Sequence, residues 1–271
     1  MYEFEPGKGY RMPTHFGPSL GPRQGPEGRR FENRESPRTV AVSVSFASDP
    51  AVLASLLPPG FSVAGSARVS VRATNIRDIE WLAGRGYNTL GVSISAEYKG
   101  AEAVSGEFLV VLWENSADAI VTGREELGYN KIFAELPDLR VSSDETAVST
   151  CAAWDGFEFL RLRGESLQAT VPSEADPPPI LNYKYVPATG KLGGADVAYP
   201  TITPRRSSDS RVIRALSGTG SLEWSPGTWE ELPTLEPIVS RLAALPVLDE
   251  PIAGLVEVVG GQDLSETRPL A

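Results

Sequence analysis

A lysine set among aromatic and aliphatic residues can do carbonyl chemistry. In Gly123-Arg124-Glu125-Glu126-Leu127-Gly128-Tyr129-Asn130-Lys131-Ile132-Phe133-Ala134-Glu135-Leu136, Lys131 has Tyr129, Ile132 and Phe133 close by in sequence. Two readings are open. The stem can pack on apolar neighbours while the ammonium reaches water. Alternatively the head is desolvated, which favours the neutral amine, and a neutral amine attacks a carbonyl to form an imine. The remaining lysines, Lys8, Lys99, Lys184 and Lys191, have weaker settings. Lys191 lies in Thr-Gly-Lys-Leu-Gly-Gly, which does not have Walker spacing.

Other side chains narrow the chemistry by what they exclude. His15 is the only histidine, so no two-histidine metal site exists, and a Ser-His-Asp triad would depend on one loop residue. Cys151 is the only cysteine, which removes internal disulfides and thiolate metal sites. The net charge of −10 and sequence pI near 4.8 argue against nucleic-acid and acidic-membrane partners. They leave room for a small anionic substrate, which needs only one or two local cations. Arg72, mid-strand, is such a cation: its guanidinium suits bidentate recognition of a carboxylate, although mid-strand arginines also face solvent or pair at a rim. No basic n-region with an apolar h-region follows Met1, and no apolar run reaches membrane-spanning length, so the expected location is the cytoplasm.

The elements that must position these residues are mostly strands. Residues 1–38 are rich in Gly, Pro and Arg and read as an irregular arm lying on the rest of the chain or on a neighbouring subunit. Thr39–Phe46 alternates with Val40, Val42, Val44 and Phe46 on one face. Asp49-Pro50 predicts a helix start, with Asp49 as N-cap, and Pro58-Pro59-Gly60 its stop. Arg68–Asn75 alternates next, then a turn over Gly84–Thr89, then a strand over Leu90–Tyr98. Phe108–Trp113 is continuously apolar and reads as a buried strand. Asn115-Ser116 can cap a helix ending near Gly128, which puts Lys131 at the entry to the following strand. Trp154-Asp155-Gly156 signals a hairpin. Leu167–Val171, Leu181–Pro187, Val212–Leu216, Gly220–Trp224 and Leu255–Val259 are further strand candidates, with a helix from about Glu236. About ten strands and two or three short helices that do not alternate with them predict an α+β, mainly β chain. The expectation is an arm over residues 1–38 and a single domain over 39–271.

Three pieces of the chain together resemble the acetoacetate decarboxylase superfamily. Glu32-Asn33-Arg34-Glu35 is similar to the family's Asn-Arg-Glu. Gly123-Arg124-Glu125, followed after four residues by Asn130-Lys131, is similar to its Gly-Arg-Glu…Pro-Lys-Lys segment. Leu245-Pro246-Val247 with Leu255–Val259 is similar to its C-terminal Leu-Pro-Val and last strand. The resemblance covers roughly residues 30 to 260. It implies a one-domain antiparallel β-barrel or cone, commonly a homo-oligomer, and a lysine that forms an imine with a small oxo acid. The imine is itself the electron sink, so no cofactor is expected. Lys131 matches the imine lysine and Arg34 the cavity arginine; Arg124 and Glu125 read mainly as an internal brace.

The chain departs from that pattern in places that bear on the reaction. Ile132 stands where the family has its second lysine and Asn130 where it has proline. Tyr87-Asn88-Thr89 puts Thr89 where the family has a functional acid, and Val69–Arg77 holds no acid, with Arg72 near that place. The resemblance therefore implies a carbon–carbon lyase for a different oxo acid rather than plain acetoacetate decarboxylation. The alternatives are a pyruvate-type aldolase-dehydratase or cyclase using the same lysine, and a non-catalytic small-molecule-binding member. The candidate catalytic residues are Lys131, Arg34, Tyr87 and Thr89. The candidate substrate-binding residues are Arg72, Tyr129, Ile132 and Tyr183, with Arg34 or Arg72 holding carboxylate and Tyr87 or Tyr183 moving protons.

Overall fold

Alternation of small apolar and polar residues dominates the chain, and it folds as strands. The structure is a computed structural model in which residues 3–271 are described. The strands are β1 (Arg38–Ala47), β2 (Phe61–Val63), β3 (Arg68–Ile79), β4 (Arg85–Tyr98), β5 (Val104–Glu114), β6 (Lys131–Phe133) and β7 (Arg140–Val141). They continue as β8 (Val148–Trp154), β9 (Phe157–Ala169), β10 (Ile180–Pro187), β11 (Ala195–Thr203), β12 (Arg211–Trp224), β13 (Ile252–Val259) and β14 (Arg268–Pro269). Among the described residues three α-helices accompany them: α1 (Pro50–Ala54), α2 (Ala117–Thr122) and α3 (Glu236–Ala243). The Asp49 carboxylate caps α1 by accepting from Ala51 N and Val52 N. At Trp154-Asp155-Gly156-Phe157 both central residues have positive φ, 47° and 78°, the backbone of a tight hairpin turn.

All strands join one 14-stranded sheet, in the order β14-β11-β10-β5-β4-β3-β1-β13-β12-β9-β8-β7, with β2 beside β4 and β6 beside β5. Pairing is antiparallel except for β5 with β6 and β5 with β10. On the core side, Val42, Val71, Leu90, Val92 and Trp113 line up across neighbouring strands. Burying each such side chain contributes about 1.5–3 kcal/mol, which fixes which face of each strand turns inward. Trp113 of β5 lies 5.1 Å, centroid to centroid, from Phe159 of β9, although five strands separate them in the sheet. The sheet therefore bends round until its two halves enclose a common core.

Bending does not become closure. Among the described residues no ladder joins β14 to β7, so the barrel or cone expected from the sequence is, in this chain, a bent open sheet. Both end strands are two residues long, too short to build a closing ladder, and short edges also discourage pairing with other chains. Two expected elements merge with their neighbours. The predicted turn over Gly84–Thr89 is already strand from Arg85, because the chain reverses earlier, over Glu80–Gly84. Leu167 belongs to β9, which bends at Ser166 (φ 53°) and continues.

Candidate active site

Lys131 is held by the connection between β5 and β6. Ser116 Oγ accepts from Ala119 N and caps α2. The helix then widens into one π-helical turn over Gly123–Leu127 and stops at Gly128, which adopts φ 80°. The chain returns along β5, so β6 runs parallel to it, with Lys131 beside Leu112. Three bonds pin this return: Arg124 Nη1 to Lys131 O at 2.7 Å, Asn130 Nδ2 to Leu109 O at 2.6 Å, and Leu112 N to Asn130 O at 2.9 Å. Arg124 is thus the internal brace that its position in the motif suggests.

Lys131 is 6% exposed, and its side chain turns beneath α2. Its Nζ donates to Ala119 O at 3.1 Å and lies 2.9 Å from Glu114 Oε1. Glu114 is 1% exposed, and its Oε2 accepts no hydrogen bond. Burial pushes the Glu114 carboxyl above the ordinary carboxylate range, and the Lys131 ammonium pulls it back. A buried pair of this kind, with one carboxylate oxygen uncommitted, can pass a proton between the two groups at little cost in charge separation. Gly123 makes the arrangement possible: a Cβ there would stand 2.4–2.6 Å from Lys131 Cε, Cδ and Nζ.

Two tyrosines and a threonine border the pair. The Tyr129 ring centroid is 5.6 Å from Lys131 Nζ, and its hydroxyl donates to Thr203 Oγ1 at 2.8 Å. Burial pushes the Tyr129 phenol up to about 12, against the bond to Thr203. Burial pushes Tyr87 up as well, with Glu114 and Tyr129 acting in the same direction, so it stays a neutral O–H donor. Thr89 lies directly opposite Glu114 in the β4–β5 ladder. Asn88 anchors this end of β4: its Nδ2 reaches Leu136 O and Asp138 Oδ1, both at 2.9 Å. Alternation then sends Tyr87 and Thr89 to the other face of the strand.

The structure separates the remaining sequence candidates. Arg34 does not join the cluster: its side chain is 82% exposed and lies 3.8 Å from Glu32, in the irregular segment before β1. Ile132 points away from Lys131, as successive strand residues must, and packs on the main core. The place of the family's second lysine is therefore apolar, and an ammonium there would be desolvated. Tyr183 packs on the cluster of Ala96, Phe108 and Leu181, across the sheet from Leu109 and Tyr129, and does not approach Lys131. Arg72 does share Lys131's side of the sheet: the register runs Arg72, Gly91, Leu112, Lys131 across β3, β4, β5 and β6.

Glu114 is the residue that sequence reading passes over. It follows Phe108–Trp113 and looks like the polar end of a buried strand. A faint signal exists, since an acid closing an apolar run ahead of a helix cap needs a partner if buried. A buried acid therefore faces Thr89 from the strand opposite. The segment before β1 also reaches the site's outer wall. Arg11 and Arg23 both bind Glu126 of the π-helical turn, and Arg23 Nη2 donates to Thr122 Oγ1 at 2.7 Å.

Comparison with known proteins bears on the family and the fold. The sequence model for acetoacetate decarboxylase matches residues 11–258. No curated protein matches the sequence. Among solved structures, an acetoacetate decarboxylase from Legionella pneumophila superposes with a TM-score of 0.64 at 19% identity, covering 91% of this chain and 92% of that one. An acetoacetate decarboxylase-like enzyme from Sphingomonas wittichii RW1 gives 0.61 at 20% identity, with 89% and 95% covered. The enduracididine biosynthesis enzyme MppR, solved with pyruvate, gives 0.59 at 14% identity, with 91% and 95% covered. At these identities the structures share a fold. With the family model matched over most of its length, the chain belongs to the acetoacetate decarboxylase family.

Proposed function

We propose that this protein is a lysine-imine lyase acting on a small oxo acid, with Lys131 as nucleophile and Glu114 as its proton partner. The observation that carries this is the buried contact of 2.9 Å between Lys131 Nζ and Glu114 Oε1, with Glu114 Oε2 uncommitted. Glu114 takes the ammonium proton and frees the amine lone pair. The amine attacks the oxo carbon, a C–N bond forms, and the carbonyl oxygen leaves as water after Glu114 returns the proton. When the neighbouring C–C bond breaks, its electron pair flows into the imine and yields an enamine. In decarboxylation the departing fragment is carbon dioxide. Tyr87, held neutral by burial, protonates the enamine carbon, and hydrolysis of the resulting imine restores Lys131.

A second reading, an aldolase-dehydratase or cyclase of the pyruvate type, is supported by the departures from the family pattern: Thr89 where an acid is expected, and no acid in Val69–Arg77, with Arg72 near that place. It uses the same imine and differs in what attacks or leaves the enamine. One experiment tests the shared step. Acetoacetate, pyruvate and a panel of 2-oxo and 3-oxo acids are each incubated with the protein, and borohydride is added. The expected product is a mass increment mapping to Lys131 and missing from Lys131→Ala. An adduct that persists in Lys131→Ala would overturn the assignment, and carbon dioxide release then divides the two readings.

A further inference from the structure

A carbonyl carbon can bond to Lys131 Nζ only by direct contact, and the lysine is covered. Lys131 and Glu114 are both buried, and the cover is α2 with the π-helical turn that follows it. Ala119 O of α2 accepts from Lys131 Nζ at 3.1 Å. Gly123 lies so close to the lysine that a Cβ there would overlap Cδ, Cε and Nζ. For a substrate to arrive, this cover has to lift.

The two ends of the cover are fastened to the body. Asn115 Oδ1 accepts from Asn88 N at 2.8 Å, and its Nδ2 donates to Leu136 O at 3.1 Å. At the other end Leu127 is buried with Leu109 and Tyr129, and its carbonyl accepts from Thr201 Oγ1 at 3.1 Å. Lys184 Nζ adds a bond to Glu125 O at 2.6 Å. Between those ends the fully buried residues are Ala119, Thr122 and Gly123, while Ala117, Asp118 and Val121 face solvent. Three such small residues remove little apolar area from water, so burial alone holds the middle down weakly. The π-helical turn is a rare form, found mostly as single turns and often at functional sites.

What holds the middle is a polar clasp from the segment before β1. Arg23 Nε and Nη2 lie 2.8 and 2.6 Å from Glu126 Oε2, and Nη2 also donates to Thr122 Oγ1 at 2.7 Å. Arg23 Nη1 donates to Asp263 O at 2.9 Å, which ties the same guanidinium to the chain after β13. Arg11 binds Glu126 Oε1, and that oxygen also accepts from Thr122 Oγ1 at 2.9 Å, one turn back. Both guanidiniums are largely shielded from solvent, where charge-assisted bonds are strongest. Such a clasp can part and re-form without repacking a core.

We infer that α2 and the π-helical turn form a lid over Lys131, and that Arg11 and Arg23 latch it through Glu126 and Thr122. Its role as a substrate gate rests on Lys131 being the imine-forming residue, but the lid itself is tested without any oxo acid. The full-length protein is treated with limiting acetic anhydride, and acetylation of each lysine is followed by peptide mass. In the wild type Lys131 should acetylate at least about tenfold more slowly than the exposed Lys99. Glu126→Gln and Arg23→Gln should each raise the Lys131 rate about fivefold or more and leave Lys99 unchanged. Glu102→Gln, which frees Arg268 from an ion pair that does not touch the lid, should change neither rate. Lys131 acetylated as fast as Lys99 in the wild type overturns the inference. So does a Lys131 rate that is equally slow in the wild type and both latch variants. Borohydride trapping with pyruvate then separates the gate from the chemistry: both latch variants should label faster at Lys131. Trapping at the wild-type rate in both removes the gate and leaves the imine intact. Faster acetylation with no trapped adduct from any oxo acid removes the imine and leaves the lid.

Discussion

Lys131 Nζ and Glu114 Oε1 meet at 2.9 Å beneath α2, each side chain almost wholly removed from solvent. One residue opens β6 and the other closes β5, and the contact exists because those strands run parallel. Taking two charges out of water costs several kcal/mol for each ion, so the pair is a poor device for stability.

Removing one partner should expose that cost with a definite pH dependence. Burial holds the Glu114 carboxyl above its ordinary value of about 4.3, so folding favours its protonated form. That contribution is fully present below the unfolded value and is lost as pH rises through the raised folded value. Lys131→Met deletes the cation that offsets the loss. Its Tm relative to wild type should therefore fall further at pH 8 than at pH 5. A penalty of about 3 kcal/mol at the higher pH corresponds to roughly 6–12 °C. Adding Glu114→Gln should recover most of it. Calorimetric curves with the same offset at both pH values would contradict the pairing.

Gly123→Ala should abolish imine trapping without unfolding the chain. The new Cβ would overlap Lys131 Cδ, Cε and Nζ, and the lysine can move only by leaving Glu114 and Ala119 O. Labelling at Lys131 should drop at least tenfold, while far-ultraviolet circular dichroism stays that of the wild type. Wild-type labelling in this variant would mean that the amine reacts from some other position.

The two tyrosines should separate by what their hydroxyls do. The Tyr129 hydroxyl is committed to Thr203 at 2.8 Å, so Tyr129→Phe should cost about 1 kcal/mol of stability and leave turnover near normal. The Tyr87 hydroxyl has no protein partner among the described residues. Tyr87→Phe should lower turnover by about 10²–10⁴-fold with little change in Tm. Steady-state kinetics with melting curves for both variants would expose a reversal of roles.

Acid should loosen the segment before β1 ahead of the sheet. Burial works to raise the Glu126 carboxyl, but Arg23, Arg11 and Thr122 outweigh it and the value falls below normal. A depressed carboxyl contributes stability above its unfolded value of about 4.3 and loses it as pH falls through the folded one. Amide exchange around Arg11 and Arg23 should rise below about pH 4, before global unfolding. At neutral pH, Glu126→Gln should speed trypsin cleavage after Arg11 and Arg23 severalfold. Unchanged cleavage would show that these two contacts do not hold the segment.

How much of this was legible beforehand varies by element. The alternation of β1 and β3, the Asp49 cap and the Asp155-Gly156 turn can be read from a few adjacent residues, because each is decided within a few residues. Strand β11 is not among the strand candidates of the sequence; its Pro200 lacks an N–H and still pairs opposite Tyr183. Val212–Leu216 and Gly220–Trp224 look like two strands; they are one, because register shifts in β12 absorb the irregular middle.

The candidate site divides along the same line. Sequence by itself determined that Lys131 follows a capped helix and a terminating glycine, among residues that bury it. It also shows Thr89 where the family pattern has an acid, and no acid in Val69–Arg77. The pairing of Glu114 with Lys131, the exposure of Arg34 and the turning of Ile132 and Tyr183 to the opposite face belong to the tertiary structure. Helix caps and alternation draw their energy from neighbours along the chain. The meeting of Glu114, Lys131 and Arg72 on one face depends on which strands pair and in what register, and that is set by apolar contacts between residues far apart in sequence.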